Sequence, residues 1–125
     1  MNMKEHRFSY DSEDDVLYIQ NDLKKVEESV EFSEDIVLDL DKNGFVIGVE
    51  IFYASEFLNL FNKEIDKEFL GNLKEAHIEY KDFRNMWFVV LILQSKDKQI
   101  AQPLPPLRKS EYVSPFIQYS QSQEH

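Results

Sequence analysis

Residues 36–51 read IVLDLDKNGFVIGVEI, two alternating apolar rows on either side of an Asn-Gly pair. In an extended chain Ile36, Leu38 and Leu40 share one side, and Phe45, Ile47, Val49 and Ile51 share one side of the next segment. A period of two marks strands that bury one face. Asn43-Gly44 is a strong hairpin signal, because both residue types accept positive φ. A two-residue turn pairs Leu40 with Ile47 and Leu38 with Val49, and a four-residue turn pairs Leu40 with Phe45. Both keep the apolar rows together. A three-residue loop pairs Leu40 with Val46, mixes the two faces, and is rejected on that ground.

The same stretch contains DLDKNGFVIGVE, which fits the calcium-loop pattern at Asp39, Asp41, Asn43, Gly44 and Glu50. A calcium loop of that kind needs a helix on each side to aim its ligands. Here both flanks alternate as strands, and Ile47 stands where an oxygen ligand is usual. The match is therefore set aside. Asp39 and Glu50 become outward-facing acids on a sheet, with Asp41 near the turn.

Further strands are expected at residues 7–10, 16–20 and 26–32, the first two joined by the acidic turn DSEDD. Residues 54–61 place Phe57, Leu58 and Phe61 at helical spacing, with Ser55 as the expected cap. A second helix is expected over 63–73, built on Ile65, Phe69, Leu70 and Leu73. Strand patterns return at 76–80, 86–93 and 100–104. The middle one, MWFVVLIL, is apolar throughout, which suits a strand covered on both faces. The end is punctuated by proline and then polar, so it reads as an extended arm. The fold class is thus α+β: an antiparallel meander of about five strands, a short helix, a second β segment and a C-terminal arm. Residues 1–62 form the acidic meander-plus-helix module, and residues 63–125 are expected to pack into the same globular unit.

Charge narrows the partners. The net charge is -10, and it is uneven: residues 1–62 carry 5 Lys and Arg against 15 Asp and Glu, while residues 63–125 carry 9 of each. An acidic surface repels phosphate, so nucleic acid is not an expected partner. The run at 86–93 is too short for a membrane helix of about 20 residues. With no apolar leader in MNMKEHRFSYDSEDD, the expected location is the cytoplasm. The absence of cysteine excludes thiol chemistry, and glycines only at 44, 48 and 71 exclude a phosphate-cradling loop. No catalytic residue, metal ligand set or cofactor is expected.

The first half also carries a family resemblance. Its residues are Tyr10-Asp11-x-Glu13-x-Asp15-x-Leu17-Tyr18-Ile19, then Ser29-Val30-Glu31, then Val37-x-Asp39-x-Asp41-x-x-Gly44-x-Val46-x-Gly48-Val49-Glu50-Ile51, and finally Ala54-Ser55. This pattern resembles the small prokaryotic family catalogued as domain of unknown function family 2283, over about residues 8–58. The resemblance implies a β-meander closed by a short helix, with no established enzyme activity or cofactor. It also implies an antitoxin-like or accessory role, by association alone.

The candidate binding residues are Tyr10, Tyr18, Asp39, Asp41, Gly48 and Glu50. The tyrosines offer half-buried rings with a wet hydroxyl, and a glycine inside a strand marks a bulge or a close approach. The arm contributes Pro103, Pro106, Arg108, Tyr112 and Phe116, with Pro103 to Arg108 matching a P-x-x-P-x-R ligand pattern. The expected function is a non-enzymatic interaction module that meets a basic protein, with a homodimer as a further option. The alternative is a small metal-binding protein or metal-dependent enzyme that uses the sheet-face acids.

Overall fold

A computed structural model describes residues 7–21 and 24–109 of the chain. The chain order is β1 (Arg7–Asp11), β2 (Val16–Gln20), β3 (Glu28–Glu31), β4 (Ile36–Leu40), β5 (Val46–Phe52), α1 (Ala54–Asn59), α2 (Lys67–Gly71), β6 (Leu73–Phe83), β7 (Met86–Ser95), β8 (Gln99–Pro103) and β9 (Leu107–Arg108). The five-stranded antiparallel sheet, the helix after its fifth strand and the second β segment are as expected from the sequence. The strand order, β1-β2-β5-β4-β3, adds something the patterning did not show. Only β1–β2 and β3–β4–β5 run as meanders; β5 then returns to pair with β2. The reason lies in β5 itself. Val46, Ile47, Val49 and Ile51 are all buried, and a strand so apolar belongs in the middle of a sheet.

The β4–β5 turn corrects the sequence reading. Leu38 faces Val49 and Asp39 faces Gly48, yet Leu40 faces Val46, so Ile47 is an extra residue in β5. The loop is the rejected three-residue one: Asp41 N–H donates to Phe45 O at 3.0 Å, and Gly44 N–H donates to Asp41 O at 2.9 Å. Gly44 alone in this turn has positive φ, at 82°. That is the pattern of a type I turn followed by a left-handed residue. The sequence argument assumed one register along the whole hairpin, and the bulge at Ile47 breaks that assumption. In consequence Val46 enters the core, while Phe45 is turned outward and is 49% exposed.

The second sheet runs β6-β7-β8, with β9 extending it alongside β7. Its inward residues include Ala76, Ile78, Trp87, Val89, Leu91, Leu93, Ile100 and Leu107. They join Leu17, Ile19, Leu38, Val49 and Ile51 of the first sheet and Leu58, Ile65 and Leu70 in a single apolar cluster. The expected covering of β7 on both faces is found only in part: Trp87, Val89, Leu91 and Leu93 are buried on one face and Ile92 on the other, but Phe88 is 37% exposed and Val90 only half-buried. The expected helix over 63–73 shrinks to α2, because Asp66 accepts a hydrogen bond from Phe69 N–H at 2.8 Å and fixes the start there.

One side chain ties the sheets together directly. Asn21 follows β2, and its amide makes two bonds to the backbone of Ile78 in β6. Nδ2 donates to Ile78 O at 2.7 Å, and Oδ1 accepts from Ile78 N–H at 2.8 Å. The amide therefore imitates one residue of a neighbouring strand. Asn21→Ala leaves both Ile78 groups without those partners. It is expected to lower the unfolding free energy by about 2 kcal/mol, measured by urea denaturation with an unchanged slope.

Candidate functional site

The outer face of the first sheet is a set of cross-strand rows. One row runs Arg7, Gln20, Gly48, Asp39, Ser29, and the next runs Ser9, Tyr18, Glu50, Val37, Glu31. Gly48 lies on the central strand, flanked by Gln20 and Asp39. A Cβ there would meet Asp39 Oδ2 at 3.2 Å and Ile19 O at 3.3 Å. Tyr18 and Asp39 use the space that the missing side chain leaves. The Tyr18 hydroxyl donates to Asp39 Oδ2 at 2.8 Å, and Ser29 Oγ donates to Asp39 Oδ1 at 2.7 Å. Arg7 donates to Gln20 Oε1 from Nε at 3.2 Å and Nη2 at 2.9 Å. Asp39 and Gln20 are buried although they sit on the outer face. Burial, the bond to Asp39 and the charge of Asp39 push the Tyr18 hydroxyl up to about 12, against the pull of Arg7.

A second network closes the turn end of that sheet. Asp15 ends the β1–β2 turn at φ 58° and is buried. Its carboxylate accepts from the Tyr10 hydroxyl at 2.6 Å, from Ser55 N–H at 3.0 Å and from Ser55 Oγ at 2.8 Å. Its carbonyl accepts from Ala54 N–H at 2.8 Å. Ser55 is therefore not the cap expected from the sequence. It lies inside α1, and Asp15 supplies the acceptor from 40 residues away. Burial works against a charge on Asp15, but the bonds from Tyr10 and Ser55 outweigh it and hold the carboxyl below its usual range. Burial, together with the same contact and the charge of Asp15, drives the Tyr10 hydroxyl well above the usual phenol range.

The two acidic turns, DSEDD and SED, sit at the same end of the sheet, because Val16 faces Phe52 and Ile36 faces Ile51. Between them is an open groove of about 1150 Å³. Its floor is Val16, Val37, Phe52 and Tyr53, and its acids are Glu13, Asp14, Glu31, Glu34 and Asp35. At the opposite end, Lys24, Lys25 and Lys42 gather with Glu27, Asp41 and Asn43.

The structure thus separates the candidate residues. Tyr18, Asp39 and Gly48 come together, with Glu50 facing Tyr18 across β2–β5. Tyr10 belongs to the Asp15 network, and neither tyrosine hydroxyl is the wet group expected, since both donate to carboxylates. Asp41 serves the turn. Its Oδ1 accepts from Asn43 N–H and Phe45 N–H, both at 2.9 Å, and Lys24 Nζ lies 3.8 Å from Oδ2. Burial opposes its charge, but these N–H groups and Lys24 outweigh it and hold the carboxyl below its usual range. Among the described residues no three His, Asp or Glu side chains gather in a metal-holding group. Pro103 lies in β8 and Arg108 in β9, with Pro106 between them, whereas Tyr112 and Phe116 lie outside the described residues. The sequence pattern placed Asp15 in an acidic turn and Ser55 at a helix start, but it did not pair them, and it did not point to the groove. Two acidic turns of similar composition were visible, but their adjacency depends on β5 returning to β2.

Asp15 sets an acid limit on stability. A carboxyl with a depressed folded value stabilises the fold above its unfolded value, about 3.9, and that contribution disappears as pH falls through the folded value. Asp15→Asn keeps the shape but loses the charge. It is expected to cost about 3 kcal/mol at neutral pH in urea denaturation. The gap to the parent chain should close below about pH 4 as the parent carboxyl protonates.

Residues 7–55 match the model of a family described as a protein of unknown function, DUF2283. No curated protein and no solved structure matches the chain. The matched segment contains every side chain of the Tyr18–Asp39 and Tyr10–Asp15–Ser55 networks, so the family's pattern covers the parts of this chain that lock its first sheet.

Proposed function

We propose that the chain is a non-enzymatic interaction module whose groove receives a basic segment of a protein partner. The observation that supports this is the groove itself: five carboxylates around an apolar floor, none of them in an ion pair among the described residues. Like charges held this close repel one another, and a cationic partner relieves that repulsion while steering its own approach. The floor accepts an aliphatic or aromatic side chain, with Tyr53 60% exposed at its edge. The lysines at the far end of the sheet give the face a polarity that would orient such a segment. The role is that of an accessory or antitoxin-like partner of a basic protein.

The acids outside the groove support the same reading. Asp15 and Asp41 are shifted toward ionisation by the donors around them, so neither is poised as a general acid near neutral pH. Asp39 is occupied by Tyr18 and Ser29. These carboxylates serve the fold. The groove carboxylates are the ones left to meet a partner.

The test is fluorescence anisotropy with a labelled synthetic peptide of alternating Arg and Leu. Binding should weaken with salt. Glu31→Lys with Asp35→Lys should weaken it by about tenfold or more, or about 1.4 kcal/mol. A control pair of the same net charge, Glu68→Lys with Glu79→Lys, should leave affinity near that of the parent. Equal weakening by both pairs would show that net charge alone acts, and absence of binding by the parent chain would remove the reading.

A further inference from the structure

We infer that the outer side of α1 continues the groove, so that the partner's basic segment runs on past Tyr53 and seats large apolar side chains on Phe57, Leu60 and Phe61. This rests on the groove reading and adds the rest of the partner's chemistry. Tyr53 is the joint, since it lines the groove and is also the N-cap residue of α1. At 3.6 residues per turn, Tyr53, Phe57, Leu60 and Phe61 stand on one side of that helix and of the turn that follows it. Ala54, Ser55 and Leu58 take the other side and are buried. Leu60 is 74% exposed, Tyr53 60% and Phe61 50%. The Phe57 and Phe61 rings meet edge to face with centroids 5.4 Å apart, so these side chains form a patch rather than scattered groups. A contiguous exposed apolar patch marks a contact surface.

Tyr53 adds an independent sign. Its backbone is left-handed, at φ 53° and ψ 45°. A bulky residue is strained in that region, where Gly or Asn fits more easily. Asp15 holds it there, because the Asp15 carbonyl and carboxylate accept from the N–H groups of Ala54 and Ser55, the next two residues. The ring gives little to the fold in return, because it lies outside the apolar core.

Charge identifies the occupant. Carboxylates flank one end of the patch: Glu13 and Asp14 in the groove, and Glu56 exposed in the first turn of α1. No basic residue stands in the last turn of α1. A segment leaving the groove therefore passes from acids to rings. From Tyr53 to Phe61 a helical chain rises about 12 Å, a distance that about eight helical or about four extended residues cover. The occupant that fits is a protein segment with a cationic stretch joined to an apolar stretch of that length.

Two labelled peptides test this by fluorescence anisotropy. One alternates Arg and Gly; the other is the same peptide with a Leu-Ala-Ala-Leu-Leu tail, made with the tail at either end. The first reads the groove alone, and the gain from the tail reads α1. One tailed form should bind the parent chain about tenfold more tightly than the tail-less peptide. Leu60→Ser, at an exposed position, should abolish that gain and leave tail-less binding unchanged. Tyr53→Asn should also lose the gain, while its melting temperature stays at or above that of the parent. The same tail gain in the parent and in Leu60→Ser would overturn the inference and leave the groove reading standing. Binding of neither peptide would overturn both. A parent dimer that Leu60→Ser converts to a monomer in sedimentation would also overturn the inference, because a second copy would then be the occupant.

Discussion

The first sheet depends on a side chain that is missing. Tyr18 on β2 and Asp39 on β4 lie on either side of β5, and strands separated by one neighbour are about 10 Å apart. A tyrosine can span that gap only if the strand between offers no obstacle. Gly48 supplies the clearance, and the hydroxyl meets the Asp39 carboxylate at 2.8 Å over it. The bond ties three strands at once. Ser29 carries it on to β3, while the Arg7–Gln20 contact links β1 to β2 in the adjoining part of the same face. The polar face is thereby cross-linked by side chains, with both carboxylate oxygens of the buried Asp39 accepting a hydrogen bond.

The Asp15 network performs the matching task at the turn end. It joins the β1–β2 turn to the start of α1, whose own N-cap residue, Tyr53, contributes no side-chain bond. That contact fixes Tyr53 and Phe52 beside the two acidic turns, and so forms the groove floor. A division of labour follows. Tyr10, Asp15, Tyr18, Asp39, Gly48 and Ser55 are committed to one another, while Glu13, Asp14, Glu31 and Glu34 of the groove remain exposed and Asp35 half-buried. The acids bonded within the fold and the acids of the groove thus sit on the same sheet.

Much of this was legible in the sequence, and the rest was not for definite reasons. Period-two rows located β4 and β5, and they overrode a complete calcium-loop match by its flanks. They failed at the turn, because a bulge at Ile47 shifts register without altering composition. The pattern also marked Gly48 as a bulge or a close approach, but not that a tyrosine two strands from Asp39 makes the approach. Ser55 was read as a local cap because sequence shows only local acceptors, whereas its acceptor, Asp15, lies 40 residues away. The groove was invisible for the same reason: its acids come from two turns that only the β2–β5 pairing brings together.

The central claim is that Asp39 holds the fold while the groove acids meet the partner. The most direct measurement is thermal stability and affinity for a basic peptide on the same sample of Asp39→Asn. The account predicts a lower melting temperature, by several degrees for about 1–2 kcal/mol in a domain of this size, with peptide affinity unchanged below the transition. An unchanged melting temperature with clearly weakened binding would contradict it, and would make Asp39 a contact rather than a tie.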